Sequence, residues 1–219
     1  MNTLAIIQAR TGSTRFPGKM LADLCGKPVV QHVYERVSDV VTQTVIAVPH
    51  GDGKRFASLG LRVWEAPEGI ADSDVLGRCV ACIDDLAPST SCVVRVCGDN
   101  PLLDVDALSV LVYAFHEFGP DYAGYRLRDN RPAITVSTGY FAEAAWPGAL
   151  RSLNITLPPN HHCREHVTAA LYEEDGHKVD WLPVPEWYYS HKTLKLTAID
   201  TPDDLERIRN HVKAGRARS

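Results

Sequence analysis

Residues 3–19 read TLAIIQARTGSTRFPGK, an apolar run that passes into a loop rich in glycine and cations. The apolar run predicts a buried strand over 3–9, and the Gly- and Pro-containing stretch that follows predicts a loop over 10–26. A helical pattern then covers about 28–40. A strand, a loop and a helix in this order form the first unit of an alternating α/β chain.

The same alternation continues to residue 118. Strands are predicted at 44–48, 61–65 and 91–96, and helices at about 53–59, 73–86 and 105–118. We therefore expect an α/β fold with a doubly wound, mainly parallel, Rossmann-like sheet. Ligands of such sheets bind beyond the carboxyl ends of the strands.

The pattern is weaker after Tyr122. A loop is predicted at 126–132, strands at 133–138, 178–184 and 193–198, and helices at 163–172 and about 202–212. With 219 residues and 45% hydrophobic content, the chain fits one domain built on one substantial core.

The overall charge excludes some classes of partner. A formal net charge of -4 gives no general attraction to nucleic acid or to an anionic membrane, so phosphate affinity requires a local cluster of cations. Neither a signal peptide nor an apolar run of about 20 residues is seen, so we expect a cytoplasmic protein. Cys79 and Cys82 lie within a helical pattern and are interpreted as reduced core thiols.

The loop after the first strand carries three cations, Arg10, Arg15 and Lys19. Gly12 allows backbone N–H groups to approach a phosphate. An arginine can donate two parallel hydrogen bonds to the phosphate oxygens, and a lysine adds a positive charge on a flexible side chain. The loop matches neither the Walker pattern nor the dinucleotide fingerprint. By spacing alone, a solvated basic loop is an equal alternative to a phosphate site.

The segment QARTGSTRFPGK (8–19) resembles the signature Q/P-A-R-x-x-S-T-R-L-P-G-K of a cytidylyltransferase family. This family includes spore coat polysaccharide biosynthesis protein F-like proteins and the enzymes that activate 3-deoxy-manno-octulosonate and nonulosonic acids with CTP. Only Phe16 departs from the usual leucine. The resemblance continues at 26–36, 71–79, 95–104, 164–168 and 196–205, and it is weak only over 124–160.

The resemblance implies a nucleotidyltransferase that moves CMP from CTP to a small anionic acceptor and releases pyrophosphate. It implies catalytic roles for Lys19 at the α-phosphate and for Arg10 and Arg15 at the β- and γ-phosphates. The full set of implied nucleotide-binding residues is Ala9, Arg10, Gly12, Ser13, Arg15, Lys19, Ser73, Asp74, Arg78 and Asp99. Gly77 replaces an aspartate common in relatives, and the preference for cytosine is inherited from the resemblance alone.

Asp99 and Asp200 each follow a predicted strand, so both should project onto the same rim of the sheet. Mg²⁺ prefers a few carboxylates together with phosphate oxygens and water. The family's metal-binding aspartates occupy the matching motifs, which implies one Mg²⁺ held by Asp99 and Asp200. The alternative, a turn or helix-capping role, fits Asp104 and Asp203 better.

Two polar clusters are candidates for binding the acceptor. Arg126, Arg128 and Arg131 lie in a predicted loop, and a second group contains His161, His162, Arg164, Glu165 and His166. From the first cluster we predict acceptor contacts by Arg126 and Arg128, with a solvated loop as the alternative for the arginines. For Arg164 and His166 the resemblance implies acceptor contacts, because they lie in the family's R-E-H-V-T motif (164–168). The region 124–192 is expected to supply acceptor and dimer contacts, because homodimers are common among similar proteins.

The stretch RPAITVSTGYF (131–141) lacks the acidic D-G-L-D-V-E element of relatives that act on sugar acids. The absence of this acidic element is compatible with a phosphonate, a phosphorylated alcohol or a phosphorylated sugar as the acceptor, and a sugar acid stays a further candidate. Three other functions stay open: use of another NTP, a glycosyltransferase in which Asp99 plays a D-x-D-like part, and a silent nucleotide-binding module.

Overall fold

A seven-stranded sheet organises the computed structural model, which describes residues 2–136, 138–190 and 196–216. The strands are β1 (Thr3–Gln8), β2 (Asp23–Leu24), β3 (Lys27–Pro28), β4 (Gln43–Val48), β5 (Val63–Glu65), β6 (Cys92–Cys97), β7 (Tyr122–Arg126), β8 (Glu143–Ala145) and β9 (Val179–Pro183). The helices are α1 (Val29–Ser38), α2 (Gly53–Ala57), α3 (Val75–Leu86), α4 (Val105–Phe118), α5 (Pro147–Thr156), α6 (Cys163–His166), α7 (Ala170–Glu173) and α8 (Pro202–Arg216).

The strand order of the sheet is β5-β4-β1-β6-β8-β7-β9. β1 pairs in parallel with both β4 and β6, whereas β8 runs antiparallel to β6 and β7. β2 and β3 form a separate antiparallel pair. The expected doubly wound, mainly parallel sheet is therefore confirmed, and one antiparallel strand is inserted within it.

Alternate residues of β1 enter two hydrophobic clusters on the two faces of the sheet. Ala5 and Ile7 pack in a cluster that includes residues of α1 and α4, whereas Leu4 and Ile6 pack with residues of α3 and α5. A buried strand with apolar side chains on both faces explains the continuous apolar run in the sequence. Cys79 and Cys82 lie buried in α3 as free thiols.

Residues 2–118 follow the sequence expectations closely apart from the short pair β2–β3, whereas several later elements differ from them. The predicted strand at 133–138 is wrong over its described residues, because Ala133–Val136 forms a 3-10 helix. The Thr135 N–H and hydroxyl both donate to the Pro132 carbonyl, at 3.1 and 2.8 Å, and these bonds close a tight turn despite the β-branched side chains.

The predicted helix at 163–172 is also wrong, because it is broken into α6 and α7 at Val167, whose φ is 55°. The next residue, Thr168, donates its hydroxyl to the buried Glu143 carboxylate at 2.9 Å, so this tertiary bond outweighs the continuation of the helix. Of the predicted strand at 193–198, residues 193–195 lie outside the described residues. The described residues 196–198 form no strand, so the prediction is wrong for them. The Thr197 hydroxyl instead donates to the Thr138 carbonyl at 2.7 Å.

In the described residues after 118, the sequence prediction missed β7, β8, α5 and a 3-10 helix at Glu186–Tyr189. β8 is three residues long and begins with a buried glutamate, so neither length nor alternation marks it. In the described part of the chain, no helix combines the length and the hydropathy that a bilayer span requires.

Candidate functional site

The cation-rich loop (residues 9–18) follows the carboxyl end of β1 and is tied through Thr11 to the start of α2. The Thr11 N–H and hydroxyl donate to the Asp52 carboxylate at 2.7 and 2.5 Å, and the Thr11 carbonyl accepts from the Gly18 N–H at 3.0 Å. Gly18 has a φ of 73°, in the left-handed region that glycine adopts without strain. The loop therefore turns back and directs Lys19 towards the strand ends.

Lys19 contacts both predicted metal-binding aspartates. Its Nζ lies 2.6 Å from Asp99 Oδ2, 3.0 Å from Asp200 Oδ1 and 2.8 Å from the Ile199 carbonyl oxygen. The residue is only 7% exposed. Burial alone would lower the pKa of Lys19, but the charge and hydrogen bonds of the two carboxylates outweigh burial and raise it. A positive charge is thus held at the point where the two aspartates converge.

The backbone brings the two aspartates together. The Ile199 N–H donates to the Asp99 carbonyl at 3.0 Å, and the Gly98 N–H donates to the Gln8 carbonyl at 2.9 Å. A Cβ on Gly98 would lie 2.8 Å from that Gln8 oxygen, so only glycine lets the chain before Asp99 pass so close to β1. Residues distant in sequence meet beyond the strand ends, where α/β sheets bind ligands.

A cavity of about 360 Å³, the main cavity, opens beside Lys19. It is lined by most of the residues predicted to be catalytic or to bind the nucleotide or the metal, and also by His166, which was predicted to bind the acceptor. Those that line it are Ala9, Arg10, Ser13, Arg15, Lys19, Arg78, Asp99, His166 and Asp200. Arg15 lies 3.1 Å from Asp200, and Arg10 lies 4.0 Å from Glu165.

Gly12, Ser73, Asp74 and Arg164 do not line the main cavity. Arg164 forms a two-pronged ion pair with Asp74, with both N···O distances 2.9 Å. Its remaining N–H groups donate to the side chain and carbonyl of Asn154 and to the Leu157 carbonyl. The five donors of this guanidinium are therefore all engaged within the protein. The geometry gives the pair a positioning function, since it joins the start of α3 to α6.

Arg126 and Arg128 also lie away from the main cavity. Arg126 stacks 4.2 Å above the Trp181 ring, and Arg128 stacks 4.1 Å from the Tyr189 ring and pairs with Glu186. Arg126 and Arg128 thus lie against aromatic rings. Among the four residues predicted to bind the acceptor, His166 alone lines the main cavity.

Sequence reasoning missed Arg95, a charged residue on β6 that lines the main cavity. Its Nη1 donates to Glu143 at 2.6 Å and its Nε to the Gln8 side chain at 3.3 Å. Glu143 is 1% exposed and also accepts from the hydroxyls of Tyr122 and Thr168. Burial opposes the charge, but neighbours including Glu143 raise the pKa of Arg95. An arginine within the otherwise apolar run CVVRVC is the signal that was available.

The sequence analysis also missed Cys97, which lies between Arg95 and Asp99 in the sequence. Cys97 lines both the main cavity and a second, smaller cavity of about 140 Å³. Burial raises the pKa of the Cys97 thiol to about 11, so the thiol is protonated near neutral pH and is a weak nucleophile. Asp99 and Asp200 line this small cavity too, and Thr138 lines it as well.

The donor set of the two aspartates fits a hard divalent cation. One carboxylate oxygen from each residue already lies within 3.0 Å of a single positive centre, the Lys19 ammonium. Mg²⁺ takes one or two protein carboxylates and completes its octahedron with phosphate oxygens and water. Asp99 and Asp200 are therefore the residues that would hold such an ion, and Arg10, Arg15 and Lys19 line the same cavity.

Comparison with known proteins agrees with this chemistry. The family model described as "Cytidylyltransferase" matches residues 4–210. A 3-deoxy-manno-octulosonate cytidylyltransferase of Anaeromyxobacter dehalogenans is 37% identical over 241 residues, which cover 96% of this chain and 97% of the relative.

Two solved structures show the same fold. A CMP:2-keto-3-deoxy-manno-octonic acid synthetase complexed with CTP has a TM-score of 0.75 at 18% identity, over 98% of this chain and 100% of the other. Rv0371C of Mycobacterium tuberculosis H37Rv, complexed with manganese, has a TM-score of 0.65 at 14% identity, over 96% and 99%. Because the family model spans nearly the whole chain, the chain belongs to the cytidylyltransferase family and is a CTP-dependent nucleotidyltransferase.

Proposed function

We propose that the enzyme transfers CMP from CTP to a small anionic acceptor while Asp99 and Asp200 hold one Mg²⁺. The observation that carries this proposal is the contact of Lys19 Nζ with both carboxylates, beneath a loop that supplies two further cations to the same cavity. Such a concentration of charge suits a metal-bound triphosphate.

In the proposed reaction an acceptor oxygen attacks the α-phosphorus in line. The bond from this phosphorus to the oxygen bridging to the β-phosphorus breaks and pyrophosphate leaves. An attacking hydroxyl releases its proton to solvent, whereas an ionised phosphonate or phosphate oxygen attacks without losing one. Lys19 neutralises charge at the α-phosphate, and Arg10 and Arg15 hold the leaving group. Bound Mg²⁺ supplies charge neutralisation at the phosphate oxygens. A protonated Cys97 is consistent with direct transfer and no covalent intermediate.

The acceptor is proposed to bind beside Arg95 and His166 within the main cavity. Nη1 of Arg95 donates to buried Glu143 and Nε donates to Gln8, which fixes the plane of the guanidinium of a residue that lines this cavity. A buried guanidinium held in this way suits a carboxylate or phosphate group of the acceptor. The relatives named for 3-deoxy-manno-octulosonate support a sugar acid, and phosphonates and phosphorylated alcohols or sugars share the same anionic chemistry.

A pyrophosphate-release assay tests the proposal. Purified enzyme is given each of the four common NTPs with Mg²⁺ and a panel of 2-keto sugar acids, phosphonates and alditol phosphates. We expect acceptor-dependent pyrophosphate only with CTP and metal, and a CMP-linked product by mass spectrometry. Release of a nucleoside diphosphate from a nucleotide sugar, without pyrophosphate formation from any NTP, would instead support a glycosyltransferase.

The remaining expectations belong to the same proposal. A homodimer built with contacts from the region 124–192 is measurable by sedimentation velocity, and a monomer at micromolar concentration would contradict it. The cytoplasmic location expected from the sequence can be tested by fractionation of the source cells, and recovery of the protein in the membrane fraction would contradict it.

A further inference from the structure

Four side chains with metal-binding donors converge where the chain enters α6, outside the main cavity. They are His161, His162 and Cys163 at the start of the helix and Glu173 at the end of α7. His162 Nε2 lies 2.8 Å from Glu173 Oε2 and 3.3 Å from Cys163 Sγ, and that sulfur lies 3.7 Å from Glu173 Oε2. Ligand atoms of His161, His162 and Cys163 all lie within 4.8 Å of one another.

These donors differ in kind from those of the nucleotide site. Imidazole, thiolate and carboxylate are the ligands of tetrahedral Zn²⁺, whose bonds of about 2.0–2.3 Å place neighbouring ligand atoms roughly 3.3–3.8 Å apart. The sulfur of Cys163 already has this spacing to two of its neighbours. Mg²⁺ prefers oxygen donors alone, so the cluster would not compete for the ion assigned to Asp99 and Asp200.

We propose that His161, His162, Cys163 and Glu173 bind one divalent ion of the zinc class, and that this ion fixes the position of α6. On binding, Cys163 gives up its thiol proton to solvent and its thiolate forms the bond to the metal. α6 also carries Arg164, which is paired with Asp74, and His166, which lines the main cavity. A bound ion would therefore brace the wall of the main cavity without taking part in the reaction.

The test uses the full chain without an affinity tag, freed of metal by a chelator. Zn²⁺ alone and Co²⁺ alone are the probes, and bound metal per chain is measured after gel filtration. We expect one tightly bound Zn²⁺, a thiolate-to-cobalt charge-transfer band with Co²⁺, and a higher melting temperature with Zn²⁺. An excess of Mg²⁺ should displace neither ion.

Variants identify the ligands. His162→Gln changes an exposed side chain, so it should fold, and Cys163→Ser removes the sulfur. Each should weaken Zn²⁺ binding by more than about tenfold, a loss that even outer-shell partners produce. Cys163→Ser should also abolish the charge-transfer band, whereas the controls Cys25→Ser and His211→Gln should bind metal as the unaltered chain does. Equal Zn²⁺ affinity in His162→Gln, or no stoichiometric binding in the unaltered chain, would overturn the proposal.

Discussion

Lys19 is the residue on which the chemistry converges, because one buried ammonium meets two carboxylates and a carbonyl oxygen. Three features of the sequence indicated this arrangement: the cation-rich loop, Asp99 and Asp200 after predicted strands, and the family resemblance. Of these two strands only the one before Asp99 is a strand in the described residues. The roles of the individual side chains were less predictable than this arrangement. Asp74 and Arg164 were predicted to contact ligands, but their mutual ion pair depends on the fold around α6.

Replacing Lys19 by Met should lower kcat by about 10²–10³, roughly 3–4 kcal/mol, because a preorganised charge is lost from the transition state. Lys19→Arg is the matched control, because it keeps the positive charge but replaces the compact ammonium with a planar guanidinium. Initial rates of pyrophosphate release measure the effect. A Lys19→Met enzyme that keeps nearly normal kcat would show that the ammonium has no catalytic part.

Replacing Arg95 by Lys should raise the KM for the acceptor about tenfold, equivalent to ~1.4 kcal/mol, and leave the KM for CTP nearly unchanged. Lysine keeps a positive charge beside buried Glu143 but lacks the planar pair of donors. Arg62→Lys, which alters an arginine bonded to the Gln43 side chain, is the control. A change confined to the CTP KM would place Arg95 at the nucleotide instead.

At the scale of elements, strands and helices with strong periodicity were predictable, and those defined by tertiary bonds were not. β1, β4, β6 and α4 follow from apolar runs and helical spacing. The break between α6 and α7 depends on Thr168 reaching buried Glu143, and β8 depends on the strands that enclose it. Neither partner can be identified from local sequence.

The Asp74–Arg164 pair should be a structural link between α3 and α6. Arg164→Met should lower the free energy of unfolding by about 3–5 kcal/mol, because it leaves a partly buried carboxylate without its partner. The exposed pair Arg151–Asp84, which joins α5 to α3, provides the control, and Arg151→Met should cost less than about 1 kcal/mol. Urea unfolding measures both, and equal losses would contradict the distinction.

Gly98 should be required for the close approach of the segment that carries Asp99. Gly98→Ala should destabilise the protein by about 1–3 kcal/mol and lower activity, since the added Cβ meets the Gln8 backbone oxygen at 2.8 Å. Gly12→Ala is the control for stability, because its Cβ would meet nothing within 4 Å. Thermal unfolding of the two variants at the same pH compares them, and a Gly98→Ala variant as stable as the unaltered chain would refute the steric argument.

At the scale of the whole molecule, a parallel sheet brings together the cation-rich loop after β1, the turn that carries Asp99 and the segment that carries Asp200. The alternating pattern predicted where the cation-rich loop and Asp99 meet, because parallel strands share one carboxyl edge. It did not explain Asp200, which follows no strand among the described residues and is placed by the hydrogen bond from the Ile199 N–H to the Asp99 carbonyl. The proposed position of the acceptor was not predictable from the sequence, since Arg95 becomes a cavity residue only through its neighbours in the sheet.

Diffraction from crystals containing CTP and Mn²⁺, with anomalous scattering used to locate the metal, tests the central claim most directly. We expect one ion peak about 2.0–2.2 Å from a carboxylate oxygen of both Asp99 and Asp200, with the triphosphate on the cation-rich loop. An ion bound away from both aspartates, or a triphosphate outside the main cavity, would contradict it.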